Sequence, residues 1–263
     1  MPIAHNPHDG VELAFDVVGE GTPLLLVHGS ALSKAIWRGF GYTKAFRDQY
    51  QVITMDLRGH GRSAKPATPD AYRMETLVAD ALAVLDAVGA QQAHYGGYSV
   101  GARMAFSLAV TAPERLRSVT SLGGSYQIET GSIGRLFFPE YDGALASGGM
   151  PAFVEGWEAR IGRPLDAQTK AAFLANDAAA LRAYFAQTQA DAAVPEDALA
   201  AITTPALLMA GTADTGRFAD SQRAASLMAQ ARFVELPGRN HGNTLFPAQA
   251  VLDEWLPFLE SLR

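Results

Sequence analysis

Gly97-Tyr98-Ser99-Val100-Gly101 places a serine between two glycines, each two positions away. A run with strand character over 93–96 leads into it. A helical pattern starts at once beyond it, with Ala102, Met104, Ala105, Phe106, Leu108 and Ala109. A strand-to-helix turn this tight forces its central residue into strained backbone angles. It also brings helix and strand so close that only hydrogen fits at both flanks. The hydroxyl it presents stands at a helix N-terminus, where backbone N–H groups and the dipole favour negative charge. Such a hydroxyl attacks only when a base removes its proton, so the chemistry on offer is nucleophilic catalysis. Four further polar residues follow directly on strand-like runs: His28, Asp56, Asp214 and His241. Strand ends are where ligands of open α/β sheets collect.

The elements that must position these residues alternate along the chain. Residues 11–18 alternate in polarity as a half-buried strand, and 23–27, 52–55 and 205–209 are the continuous apolar runs of strands covered on both faces,. Residues 116–122 and 232–236 also read as strands. Helical patterns span about 35–48, 72–88, 222–229 and 247–262. Strands alternating with helices predict an α/β fold with a mainly parallel sheet wound on both faces. Between 126 and 195 the rhythm changes: there is no buried-strand run, and alanine-rich helical segments carry Phe137, Phe138, Tyr141, Phe153, Trp157, Phe173, Tyr184 and Phe185. The expected organisation is a core of 1–125 and 196–263 with a helical cap at 126–195. Most of those aromatics are expected to pack together and a minority to line a mainly apolar cleft over the sheet.

Composition narrows the class. Of 263 residues, 48% are apolar and 18% charged, as in a globular protein,. The first ten residues have no apolar stretch of the kind a secretory signal needs, and no apolar run is long enough for a membrane span,. The absence of cysteine removes disulfides, thiolate metal sites and cysteine nucleophiles,. A net charge of −6 without a basic stripe argues against nucleic acid as a partner,. These features predict a soluble, cytoplasmic protein.

Ser99, Asp214 and His241 occur in the chain order Ser, Asp, His. Together with His28-Gly29-Ser30, the glycine-rich loop from Asp56 to Ser63, Gly211 to Asp214 and Asn240-His241, they resemble the α/β-hydrolase fold superfamily over nearly the whole chain outside the cap,. The resemblance implies an eight-stranded type of sheet, with Ser99 as nucleophile, His241 as base and Asp214 as the acid that orients the imidazole. It implies the backbone N–H groups of Ser30 and Val100 as the oxyanion hole, a small-molecule substrate, and no metal or organic cofactor. Asp220 is a rival for the acid, and the strand ending at Leu122 offers no carboxylate at its tip. The Ser30 hydroxyl is expected to be solvated, and Asp56, Arg58 and His60 to brace their loop. His5, His8 and His94 are expected to be structural or on the surface.

A serine rather than an aspartate at the nucleophile position disfavours the family's epoxide- and halide-opening chemistries. The compact layout is similar to enol-lactonases and cofactor-free haloperoxidase-like esterases, so hydrolysis of a small ester or lactone is expected. One alternative is a lyase or synthase of the menaquinone-pathway type, suggested by Tyr98 and Arg103; a helix arginine paired with a nearby carboxylate is the plainer reading of Arg103. A ligand receptor on the same fold is a third. An inward turn of Arg135, Arg160, Arg163 or Arg182 to grip a substrate carboxylate competes with the apolar cleft.

Overall fold

The computed structural model describes residues 1–127 and 130–263. Eight strands form one sheet in the spatial order β1-β2-β4-β3-β5-β6-β7-β8. They are β1 (Ile3–His5), β2 (Glu12–Val18), β3 (Thr22–Val27), β4 (Tyr50–Met55), β5 (Ala93–Tyr98), β6 (Leu116–Leu122), β7 (Ala206–Gly211) and β8 (Ala231–Leu236). From β4 to β8 every neighbouring pair is parallel, and β1 and β2 add an antiparallel edge.

Side chains of a strand alternate between faces, and the apolar runs use both. In β3, Leu25 and Val27 join one core with Leu77, Val84, Met104 and Phe106. Leu24 and Leu26 join another with Trp37, Tyr42, Phe46 and Trp255. With both faces of its central strands covered, the sheet leaves its carboxyl edge as the place where Ser99, Asp214 and His241 gather.

Three expectations shift. The helix expected over 35–48 divides into Ala35–Gly39 and Tyr42–Phe46, because Gly41 takes φ 89° between them. The helix after β7 runs Thr215–Leu227, starting immediately at Asp214 rather than near 222. β1 is an additional strand: its three residues carry one buried side chain, too little pattern to register.

Among the described residues between β6 and β7 lie five helices: Ser132–Leu136, Tyr141–Ile161, Ala167–Leu174, Ala178–Ala190 and Glu196–Ala200. Tyr141–Ile161 is kinked at Gly149 (φ 63°), just before Pro151. The Val194 N–H bonds the Tyr126 carbonyl at 3.0 Å, so the two ends of the expected 126–195 segment meet. Of the expected 126–195 segment, residues 128 and 129 lie outside the described residues. Among the described residues no helix is long and apolar enough to cross a membrane.

Candidate active site

β5 is buried at all six positions and hands Ser99 to the helix Val100–Thr111. Ser99 sits at φ 56°, ψ −113°, a strained conformation for a residue with a side chain,. Its N–H is held by the Leu122 carbonyl at 3.0 Å. A Cβ on Gly97 would collide with the Gly101 carbonyl, and one on Gly101 with the Val27 carbonyl. The spacing read from the sequence thus has the steric origin assigned to it.

Three sequence-predicted residues come together at the sheet's carboxyl edge. His241 Nε2 lies 2.9 Å from Ser99 Oγ, and His241 Nδ1 lies 2.9 Å from Asp214 Oδ2. The donor-only guanidinium of Arg217 reaches the other oxygen, Asp214 Oδ1, at 3.3 Å. The His241 loop is fixed independently. Asn240 and Asn243 cap each other's backbone reciprocally. The Tyr98 hydroxyl donates to the His241 carbonyl at 2.6 Å, and the two rings stack 5.3 Å apart. The rival Asp220 bonds the Ser125 hydroxyl. At the tip of β6, Gly123 puts no carboxylate near His241; a Cβ there would lie 3.5 Å from Nδ1.

Burial and the charge of Arg217 hold the His241 pKa below the ordinary imidazole value, against the pull of Asp214. The imidazole is therefore neutral at pH 7, the form a base requires. Burial alone would raise the Asp214 pKa. The hydrogen bond from His241, with the charge and bond of Arg217, outweighs it and keeps the carboxylate ionised,.

Gly29 presses against the serine: a Cβ on it would come 3.0 Å from Ser99 Cβ. Ser30, Ser99 and Val100 line the same cleft. Among the described residues no acceptor is bonded to the Ser30 or the Val100 N–H. The Ser30 hydroxyl, expected to be solvated, instead bonds the Tyr184 hydroxyl at 2.6 Å.

The supporting loop is braced as expected. Asp56 accepts from Lys34 N–H at 2.8 Å, Lys34 Nζ at 2.9 Å and Arg62 N–H at 3.1 Å. Arg58 is locked between Asp80 and Asp9. Burial and the neighbouring His28 push His60 down to about 3, so it stays neutral. His94 is buried against Ser118, while His5 and His8 are exposed.

The cleft above Ser99 measures about 690 Å³. It is less apolar than the composition of the insertion predicts. Phe137, Phe153, Phe173 and Phe185 pack against one another instead, mostly edge-to-face or tilted, with Trp157 against Phe137 and Phe173 at the cleft wall. Ile133, Leu136, Trp157 and Tyr184 give the insertion's apolar lining. Arg103, Arg135, Arg217, Asp220, Gln127 and Thr188 make the rest polar. Arg103 faces Asp191 across 3.6 Å and donates to the Thr188 carbonyl at 3.3 Å. Arg182 pairs with Asp142 on the surface, and Arg160 and Arg163 are exposed. Arg217 and Tyr184 carried no signal as site residues in the sequence, since one stands in a polar helix turn and the other among many aromatics. Among the described residues no group of three or more His, Asp or Glu side chains is placed to hold a metal ion.

Comparison with known proteins agrees with this architecture. A putative carbamate hydrolase of Azorhizobium caulinodans is 32% identical over 189 residues, 72% of this chain and 68% of that protein. Epoxide hydrolase B of Mycobacterium tuberculosis is 31% identical over 170 residues, 52% of this chain; the match spans only 45% of that relative's length. The crystal structure of an enol-lactonase from Burkholderia xenovorans superposes with a TM-score of 0.83 over 98% of this chain and all of that one, at 23% identity, a likeness of fold. The model of the alpha/beta hydrolase fold family matches residues 22–241, and the chain belongs to that family.

Proposed function

We propose that the protein is a serine hydrolase that cleaves a small carboxylic ester or lactone through an acyl-enzyme on Ser99. The observation that carries this reading is the hydrogen-bonded series Ser99 Oγ, His241 Nε2, His241 Nδ1, Asp214 Oδ2, with 2.9 Å at each link between residues. In this mechanism His241 Nε2 takes the Ser99 proton as Oγ attacks the acyl carbon. Asp214 stabilises the imidazolium that results. The N–H groups of Ser30 and Val100 receive the developing oxyanion. His241 then gives its proton to the departing alkoxide, and the same base activates water against the acyl group.

The residue type at position 99 supports acyl chemistry over epoxide opening, although epoxide hydrolase B is among the relatives. A serine that opened an epoxide would be left as an ether, which water does not cleave, whereas an acyl-serine ester is hydrolysed readily. The carbamate hydrolase and enol-lactonase names among the relatives favour attack at a carbonyl carbon. In the proposed division, 1–125 and 196–263 form the catalytic core and 126–195 a cap roofing the cleft. The lyase alternative draws less support, since Arg103 is engaged with the 188–192 segment.

Turnover of p-nitrophenyl acetate and of a panel of small lactones by wild type, Ser99→Ala and His241→Ala tests the reading. Each variant is expected to lose about 10⁴-fold or more, and their combination little beyond either alone, because nucleophile and base act as a unit. A purified Ser99→Ala protein that keeps a tenth of wild-type turnover overturns it.

A further inference from the structure

The loop that carries Ser30 is held in a conformation its sequence does not favour. Ala31 takes φ 59° although it is not glycine, and it is fully buried. Left-handed angles are disfavoured about tenfold for a residue with a Cβ, so something must hold the loop there. Three contacts do. The Ala31 N–H donates to His60 Nε2 at 3.0 Å, from the core. The Asn176 side-chain amide donates to the Ala31 carbonyl at 2.9 Å. The hydroxyls of Ser30 and Tyr184 bond each other at 2.6 Å. Asn176 follows the helix Ala167–Leu174, whose Phe173 carbonyl its amide also caps, and Tyr184 belongs to Ala178–Ala190. Two of the three anchors therefore come from the insertion rather than from the sheet that presents Ser99.

We propose that Asn176 and Tyr184 are positioning residues for the oxyanion hole: the insertion, by gripping Ala31 and Ser30, aims the Ser30 N–H at the developing oxyanion. This rests on the serine-hydrolase reading above. It makes the insertion part of the catalytic apparatus as well as a wall of the cleft. Ser30 and Ala31 are the central residues of one turn, closed by the Leu32 N–H on the Gly29 carbonyl at 3.3 Å, so a release of Ala31 to φ below zero has to be absorbed by the Ser30 torsions and swings that donor off target. Docking of the insertion and competence of the hole are then one event.

The test uses the whole chain and p-nitrophenyl acetate. Asn176→Ala and Tyr184→Phe are each expected to lower kcat about three- to tenfold, the span of one lost hydrogen bond, with KM within about twofold. Affinity for an alkyl boronic acid, which forms a tetrahedral adduct on serine, should fall in parallel with kcat. The double variant should lose less than the product of the single losses, because either release lets the same loop relax. Ala31→Gly separates positioning from mere stability. Glycine accepts positive φ without penalty, so this change should raise kcat by a larger factor in the Asn176→Ala background than in wild type. Folded Asn176→Ala and Tyr184→Phe proteins with unaltered kcat overturn the inference. So does a loss confined to KM, or one that Ala31→Gly does not relieve. Any of these leaves the hydrolase reading standing as long as Ser99→Ala is inactive; turnover that survives Ser99→Ala removes both.

Discussion

Replacing Asp214 with asparagine changes one atom, yet the geometry predicts a loss far larger than that of one hydrogen bond. The carboxylate has an oxygen for each of two donors: Oδ2 accepts from His241 Nδ1–H at 2.9 Å and Oδ1 from Arg217 at 3.3 Å. An asparagine has a single oxygen. The Arg217 guanidinium can only donate, so it claims that oxygen and turns the amide NH2 toward Nδ1. Nδ1 must then accept, its proton moves to Nε2, and Nε2–H points at Ser99 Oγ where a lone pair is needed. The base is lost through the wrong tautomer, not through a broken fold. The expected cost is about 10⁴ in kcat, or about 5 kcal/mol of transition-state stabilisation. The same logic predicts a rescue. With Arg217→Met in the same chain, nothing competes for the amide oxygen, it can face Nδ1, and about tenfold or more of the activity should return. Initial rates on p-nitrophenyl acetate, with circular dichroism to establish folding, measure both. An Asp214→Asn enzyme within tenfold of wild type, or an Asp220→Asn enzyme damaged more, refutes the assignment of the acid; a double variant no better than Asp214→Asn refutes the role given to Arg217.

The pH profile should carry the same signature. Only neutral His241 can accept a proton, and burial with Arg217 lowers its pKa, so kcat/KM should hold to a pH below the ordinary imidazole value of about 6.5 before it falls,. Arg217→Gln removes a charge that disfavours the imidazolium and should move that acid limb upward; a limb that stays in place contradicts the electrostatic account. Gly97→Ala, whose Cβ meets the Gly101 carbonyl, should cost about 3 kcal/mol or more in urea unfolding, and a loss under about 0.5 kcal/mol would show the turn to be looser than described,. Neutral acyl groups should be hydrolysed faster than dicarboxylates, because Arg217 and Arg103 already face Asp214 and Asp191, Arg135 donates to the Thr130 carbonyl, and drawing Arg217 or Arg103 away costs a carboxylate its guanidinium,. A substrate panel in which diacid esters lead by about tenfold argues the reverse.

Much of this arrangement was legible in the sequence because it follows from local sterics. The glycines at 97 and 101 are demanded by backbone contacts that any serine at such a turn must make. The strand over 116–122 is the observed Leu116–Leu122 without adjustment. Asp214 and His241 were legible because each lies in the loop that follows a strand, and in a sheet covered on both faces the strand ends are where polar side chains can gather. What escaped depends on partners far apart in the chain. The Ser30 hydroxyl meets Tyr184, 154 positions on, and no local pattern could distinguish that tyrosine from its aromatic neighbours. Arg217 was hidden because its helix opens with the polar Thr215-Gly216-Arg217, which shows no apolar periodicity. The polarity of the cleft was misjudged for a related reason: the insertion's aromatic residues satisfy one another, and the arginines and hydroxyls of several elements are left to face Ser99.

The central claim is that Ser99 becomes acylated, and the direct measurement is the mass of the protein during turnover. Wild type is mixed with p-nitrophenyl acetate at a pH low enough to protonate most of His241. A good leaving group then helps acylation more than it helps hydrolysis of the acyl-serine, and the adduct accumulates. Intact-mass spectrometry should show one added acetyl group, peptide mapping should place it on Ser99, and Ser99→Ala should show none. Sustained turnover with no Ser99 adduct at any pH or substrate concentration would contradict the account and favour a reaction in which His241 abstracts a proton without covalent attachment.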